Sequence, residues 1–499
     1  MNLGMLLDMA ADGFGDRVVI GRRDSGLTAS QLRAMAIAGA DAVTAAGADA
    51  IVYLAVNGPA FPVALFAAAR AGVPLVPVNY RLGEEQLAAL LANHPKGFGI
   101  AGTAEEATAL HAAGLSTRTP KEWLDLTSAA AGEDNGFTDP EAAAVIIYTS
   151  GSTAAPKGVV LRHQNLVSYV LGSVEFMSAE ESDAALMSVP PYHIAAVANV
   201  ITNLYAGRRA LVLEQFTPEQ WLELVRSEGV TNALVVPTML KRILDAQGDL
   251  SVPSIRTLAY GGASMPAPVI EQALRTWSDV GFVNAYGLTE TSSTIAVLGP
   301  EDHRAAVASD DPAVRARLSS AGQVLPTVEL EIRDDDGNVV APGVKGRIWV
   351  RGPQVAAEYL GAGAALDESG FFDTRDEGYL DAAGYLFIGG RADDTIIRGA
   401  ENIAPAEIED VLLRHPAVAD VVVVGCPHDE WGQCIEAVVV RKPGTDTDEE
   451  ELRAHVRASL RSSKTPDRIW FWDELPRTET GKLIRRHVVS RIVADRAQV

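Results

Sequence analysis

Apolar and polar positions alternate between two periods along the first part of the chain. Residues 31–46 carry apolar side chains at helical spacing behind Thr28 and Ser30, both good helix caps. Residues 51–56 form a short apolar run that predicts a buried strand. Helical spacing returns at 61–70 and stops at Ala71-Gly72. Residues 73–78 predict a second strand, followed by Asn79-Tyr-Arg-Leu82. Strand, helix and strand at this spacing form a βαβ unit, so the predicted fold class is α/β. Residues 104–113 and 128–139 read as surface helix and loop without chemistry. The apolar run 142–147 predicts another buried strand.

The alternation continues after residue 158. Helices are predicted at 221–228 and 238–247, with strands at 233–236, 258–260 and 282–285. Two of these strands end in Gly261-Gly-Ala263 and Tyr286-Gly-Leu-Thr-Glu290. Ligands of α/β sheets sit at such carboxyl ends. From Gly322 the pattern turns to short strands and tight turns: 328–333, the turn Asp334-Asp-Asp-Gly337, and 346–351. This predicts a small β-barrel or hairpin set, with the aspartate run as a turn and not a metal site. A boundary is expected near Gly389-Gly-Arg-Ala-Asp-Asp394. Beyond it come a helix at 405–413, strands at 418–424 and 435–440, and a helix at 448–460. The expected organisation is a large N-terminal domain of layered α/β subdomains with a small β-barrel (1–391), plus a small mobile C-terminal α/β domain (392–499).

Composition narrows the partners. The chain has 499 residues, too many for one ordinary core. Its formal net charge of −23 repels nucleic acid and anionic membrane surfaces, yet leaves room for a locally basic pocket. Cys426 and Cys434 fit no metal spacing and are expected reduced, partly buried and inert. Residues 1–13 carry Asp8 and Asp12 and no basic n-region, unlike a signal peptide. The longest apolar run, 60–78, is interrupted by Pro62, Arg70, Pro74 and Pro77, so no segment reads as an integral membrane span. The expected location is the cytoplasm.

The stretch Tyr148-Thr-Ser-Gly-Ser-Thr-Ala-Ala-Pro-Lys-Gly158 carries the first chemistry. Backbone N–H groups, hydroxyls and one ammonium donate many hydrogen bonds without bulk, which suits a polyphosphate. It is not the common nucleotide loop G-x-x-x-x-G-K-[ST]. An ordinary polar turn after a strand is the bland alternative.

Six stretches, taken together and in order, resemble the adenylate-forming enzymes: acyl- and aryl-CoA synthetases, firefly-type luciferases and nonribosomal adenylation domains. They are 148–158, Pro190-Pro-Tyr-His193, 284–291, 371–378, 390–409 and Pro476-Arg-Thr-Glu-Thr-Gly-Lys482. The resemblance spans nearly the whole chain. It implies that ATP, with Mg2+, converts a carboxylic acid into an acyl-adenylate and pyrophosphate. A thiol, usually coenzyme A, then displaces AMP. The attacking carboxylate and the α-phosphate are both negative, so cations must neutralise the transition state.

The resemblance also implies residue roles. Lys482 bridges carboxylate and phosphate, Glu290 serves the metal and phosphates with Thr153, and His193 gates the acyl pocket as the third catalytic candidate. Thr149, Ser150, Gly151, Ser152, Thr153 and Lys157 belong to the phosphate loop. Gly261, Gly262 and Ala263 form a flat wall against adenine, where glycine permits close approach. Tyr286 faces the base from within Asn284, Ala285, Gly287, Leu288 and Thr289. Asp376 takes the ribose hydroxyls, a bidentate task a carboxylate does well. Ile388 and Arg391 reach the nucleotide. Asp393 is the hinge, and Arg398, Gly399, Ala400 and Glu401 line the thiol channel after domain rotation. Without the motifs, Tyr286 and His193 would read as core residues.

Amino-acid-activating relatives carry an aspartate after the position of His193. None occurs in 192–200, which points to an acid without an α-amino group. The expected pocket of Tyr192, His193, Val197, Ala198, Val236, Tyr260 and Gly261, with neighbouring Ala195, Ala196 and Pro237, is mostly small and apolar. It predicts a lipophilic acid, fatty or bulky and ring-containing. Three positions depart from the family pattern: Ala154, Arg375 and Ala400 each stand where glycine is usual. They bear on the efficiency of both half-reactions. The rival readings are a partial enzyme that mainly converts acyl-adenylate to acyl-CoA, transfer to a carrier protein, a non-catalytic acyl-nucleotide sensor, and an oxidative luciferase. The resemblance implies a homodimer in many members, and nothing in this sequence decides it.

Overall fold

A computed structural model describes residues 1–129, 138–149, 156–391, 394–398, 401–428, 432–478 and 481–496. Among the described residues, two large sheets carry the N-terminal part. The first has eight strands. At its centre, Ala143–Thr149, Leu75–Pro77, Ala50–Leu54 and Gly97–Ala101 lie side by side in parallel, with Ile51 opposite Leu75 and Val52 opposite Gly99. The predicted βαβ unit is this set, closed by the helix Ala60–Ala71, whose C-cap Gly72 takes the left-handed φ of 70°. The helix Ala29–Ala45 is capped by Thr28 and not Ser30. The Thr28 hydroxyl accepts from Gln31 N–H, while the Gln31 side chain accepts from Thr28 N–H.

The second sheet has nine strands. Ala184–Met187, Asn232–Val235, Thr257–Gly261 and Gly281–Leu288 form its parallel centre. Their carboxyl ends deliver Val236, Gly261-Gly262 and Leu288-Thr289 to one rim. The predicted barrel region forms an antiparallel meander, the hairpin-set form of that expectation: Glu329–Arg333, Gly346–Arg351, Phe372–Leu380 and Leu386–Arg391. The aspartate run is a turn. Asp334 carboxylate accepts from the backbone N–H groups of Asp336 and Asn338.

The C-terminal part builds its own layers. Val418–His428 and Gly432–Arg441 pair antiparallel, Arg468–Phe471 joins in parallel, and Pro405–Leu413, Glu449–Ser459 and Arg485–Arg496 cover the sheet. The first of these strands outruns the predicted apolar stretch, because backbone pairing continues through Cys426 to His428. Its two apolar clusters, around Val423 and Leu452 and around Val438 and Val488, draw only on residues from 396 onward. Cys426 and Cys434 face each other across the ladder as free thiols. Both are fully buried, not partly, and burial pushes the Cys426 thiol up to about 11. Burial of this kind disfavours the reactive thiolate at Cys426. Among the described residues no helix is long and apolar enough to cross a membrane.

One buried histidine gives the fold a measurable acid sensitivity. His163 is wholly enclosed, its Nδ1 accepts from Leu3 N–H at 3.3 Å, and its Nε2 has no partner. Burial, then the nearby N-terminal ammonium, lowers its pKa to about 4. The unfolded chain therefore binds this proton first, so stability is full above the ordinary histidine value and falls as pH drops towards 4. His163→Gln is expected to flatten the slope of melting temperature against pH in that window. An unchanged slope would remove His163 from the account.

Candidate active site

The carboxyl-end rim of the nine-stranded sheet opens into a cavity of about 2140 Å³, to which the C-terminal part contributes lining residues. One end of it, the end expected to take the nucleotide, is made by backbone and small residues. A Cβ on Gly261 would collide with the Ala285 carbonyl, so glycine there keeps the wall flat. Gly262, Ala263, Asn284, Ala285, Tyr286, Gly287, Leu288 and Thr289 follow around the same end. Asn284 is anchored by donating to Ser320 carbonyl at 2.9 Å.

Tyr286 and Asp376 are brought together from two different sheets. The Tyr286 hydroxyl donates to Asp376 Oδ2 at 2.6 Å, and Arg391 Nε stands 3.9 Å from Oδ1. Thr374 Oγ1 accepts from Asp376 N–H at 3.1 Å and donates to Ile348 carbonyl at 2.8 Å, which fixes the carboxylate. Burial raises the Asp376 pKa, against the opposing pull of Tyr286, Arg391 and Lys482. Arg375, where glycine is usual, does adopt a left-handed φ of 62°. Its N–H donates to Asp373 Oδ1 at 2.8 Å, and its exposed side chain stands at the edge of the cavity. Ile388 lines the same end.

Lys482 enters from the C-terminal part on a tight turn. Thr478 N–H donates to Lys482 carbonyl at 2.8 Å, and Lys482 N–H donates to Thr478 Oγ1 at 3.0 Å. Arg477 holds the turn by donating to Gly481 carbonyl at 2.8 Å while forked onto Asp420 at 2.8 and 2.9 Å. The ammonium is within electrostatic reach of Asp376, Glu290, Arg391 and Asp394. Burial, then Arg391, lowers its pKa, and the three carboxylates pull the other way. His193 sits beside it. Burial, then the Lys482 charge, lowers the His193 pKa to about 4, so its imidazole is neutral at ordinary pH. It also caps the helix Ile194–Ala206. A helix N-terminus, the Lys482 ammonium and a neutral imidazole around one space favour a carboxylate there.

Glu290 is positioned by a residue that the sequence reading missed. Tyr359 donates to Glu290 Oε1 at 2.9 Å, and Lys157 Nζ lies 5.7 Å from the centre of its ring. Burial, then Glu290, raises the phenol pKa, which keeps it a donor. The strand Glu358–Tyr359 is tied to Lys157–Arg162 through Tyr359 opposite Val159 and an Arg162–Glu358 fork at 2.7 and 2.8 Å. Its partners are far away in sequence, so no local pattern revealed it. Tyr359→Phe is expected to slow adenylation about tenfold, the scale of one hydrogen bond to a charged group, and to raise the Mg2+ requirement. A Mg2+ titration with unchanged half-saturation would contradict that role.

The end expected to take the acyl group lies between the helix Ile194–Ala206 and the sheet. Tyr192, His193, Ala195, Ala198, Val236, Pro237 and Gly261 face the cavity. Val197, Ala196 and Tyr260 do not. Val197 and Ala196 point into the core on the other face of the helix, since the lining follows 195, 198, 199, 202 and 203. Tyr260 alternates to the far side of its strand, where its hydroxyl bonds His303 Nε2 at 2.8 Å. Thr149 and Lys157 reach the cavity. Ser150, Gly151, Ser152, Thr153, Ala154, Asp393, Gly399 and Ala400, and the side chain of Glu401, lie outside the described residues. Arg398 is turned away, donating to Asp467 at 2.7 Å and Ser463 carbonyl at 3.2 Å.

Comparison with known proteins agrees with this geometry. Residues 7–360 match the family model of the AMP-binding enzyme, and 407–482 match that of the AMP-binding enzyme C-terminal domain. A fatty acid–[acyl-carrier-protein] ligase, ScoC, of Streptomyces coeruleorubidus is 32% identical, covering 95% of this chain and 93% of its own. A feruloyl-CoA synthase of Amycolatopsis sp is 34% identical, covering 89% of each. Among solved structures, the o-succinylbenzoate CoA synthetase MenE of Bacillus subtilis, in complex with the acyl-adenylate intermediate OSB-AMP, superimposes with a TM-score of 0.84 at 29% identity, covering 97% of each chain. The chain belongs to the AMP-binding family of adenylate-forming enzymes.

Proposed function

We propose that this protein is an AMP-forming acid–thiol ligase that uses ATP, Mg2+ and coenzyme A to convert a lipophilic carboxylic acid, fatty or ring-containing, into its CoA thioester. The observation that carries this is the convergence of Lys482, Asp376, Arg391 and Glu290 on one cavity that continues into a small-residue acyl slot. In the first half-reaction the substrate carboxylate lies by the helix N-terminus at His193, and Lys482 offsets the repulsion between it and the α-phosphate. Asp376 and Tyr286 orient the ribose. Mg2+ supplies charge neutralisation at the phosphates. A single carboxylate, Glu290, with Thr153 as the second candidate, suits an ion that takes its other oxygens from phosphate and water.

Rotation at Asp393 then withdraws Lys482 and brings Arg398, Gly399, Ala400 and Glu401 to the cavity as the thiol channel. Supporting this, the C-terminal part has apolar clusters of its own and Arg398 lies outside the cavity while Lys482 is inside. The division is 1–391 and 392–499. Cytoplasmic location and a homodimer complete the reading. Pyrophosphate release with a panel of fatty and aromatic acids tests it, and release with no acid would contradict it. ScoC gives specific weight to a second reading, transfer to a carrier-protein arm. Purified acylatable carrier protein in place of coenzyme A separates the two.

A further inference from the structure

The acyl slot does not end as it begins. Past Ala195 and Ala198, the same face of the helix Ile194–Ala206 presents Asn199, Thr202 and Asn203 to the cavity, and Arg208 stands just beyond the C-cap Gly207. Across from them, the amino end of the central strands contributes Asn232 and Thr257. A wholly apolar substrate tail has no use for this set.

Arg208 is the unusual member. It donates through Nη1 to Asn203 Oδ1 at 2.9 Å. Its Nε is enclosed without a partner. Among the described residues no carboxylate lies within ion-pair distance of it. Burial alone lowers its pKa, and no neighbouring charge offsets that. Asn203 is itself occupied, donating to the Asn199 carbonyl at 2.8 Å and to the Asn199 side chain at 3.1 Å. The network therefore ends on one unmatched donor, Arg208 Nε. Arg208 is half-buried, and a guanidinium partly withdrawn from water is held at a cost unless something pairs with it. The nearby helix C-terminus compensates part of that charge, and it does not satisfy the Nε donor.

We infer that the acid taken by this site carries a second oxygen acceptor, an anionic one, at the end of its skeleton remote from the reacting carboxylate, where Arg208, held by Asn203, receives it. This rests on the acid-activating reading above. From Ile194 to Asn203 the helix rises about 13 Å, which sets the length of the skeleton. A medium-chain dicarboxylic acid or a fused-ring acid with a distal carboxylate meets both requirements, whereas a plain fatty acid places a methyl group against a desolvated arginine.

The test is AMP release by the full chain with two matched pairs: decanedioate against decanoate, and naphthalenedicarboxylate against naphthoate. The expected result is a preference of about tenfold to a hundredfold in kcat/KM for the diacid of at least one pair, the scale of one charge-assisted hydrogen bond. Arg208→Met should abolish that preference through KM, and Arg208→Lys should retain part of it. Equal or better turnover of the monoacids by the wild-type chain would overturn the proposal without any variant. It would leave acid activation standing. Failure of all four acids would overturn the fit of the slot to such a skeleton. Thioester formation from supplied acyl-adenylate then judges the activity separately.

Discussion

Lys482→Ala is expected to slow acyl-adenylate formation by roughly 10²–10³-fold, the scale of removing one preorganised transition-state donor. Thioester formation from supplied acyl-adenylate should be spared. The asymmetry follows from where the ammonium stands: among Asp376, Glu290 and Arg391, next to His193, at the place where two anions must meet. The pH profile carries the same signature. Lys482 acts as a cation, and burial and Arg391 lower its pKa. Adenylation in the wild-type chain should therefore decline as pH rises through a value below the ordinary lysine pKa. The second half-reaction should show no such limb from this group. Equal loss of both half-reactions in Lys482→Ala would contradict the two-state account.

Gly481→Val is expected to act on the same half-reaction without touching a charge. Gly481 has a φ of 74°, and a Cβ there would collide with the Thr238 hydroxyl. A side chain in that conformation costs about 1–2 kcal/mol before any clash. Thr238 lies in the first turn of the helix Pro237–Leu244, directly after the acyl-pocket residue Val236. The valine should thus hold the lysine turn away from the cavity and lower the docked population. Adenylation should fall about tenfold or more, with thioester formation from supplied adenylate nearly retained. Thr238→Ala should restore part of the loss, because it removes the two closest contacts, the hydroxyl and the methyl, and leaves the Cβ contact and the backbone strain. No rescue, with wild-type thermal stability in both variants, would show that the contact does not set the docking distance.

Local chemistry made much of this legible in the sequence. The strands around 258–260 and 282–285 are readable because apolar runs stop at glycine-rich rims; the second runs on to Leu288, and both rims line the cavity. The resemblance named Asp376 and Lys482, and the fold brings both to one cavity from separate sheets and layers. Face assignment failed where spacing was not followed through. Val197 and Tyr260 are apolar or aromatic and near the pocket in sequence, yet helix and strand periodicity turn them to the core. Tyr359 and Arg208 were invisible for a different reason. The meaning of Tyr359 lies in Glu290 and Lys157, and that of Arg208 lies in the carboxylate it lacks. The neighbouring Arg209 differs from it, being buried against Glu228 at 2.9 Å.

The most direct measurement is pyrophosphate and AMP release with a panel of carboxylic acids, each with and without coenzyme A, beside chemically supplied acyl-adenylate plus coenzyme A. The account predicts pyrophosphate release from free acid and ATP, and thioester with AMP once coenzyme A is added. Thioester from supplied adenylate alone, with no acid activated by ATP, would contradict it and leave this chain the second half-reaction only.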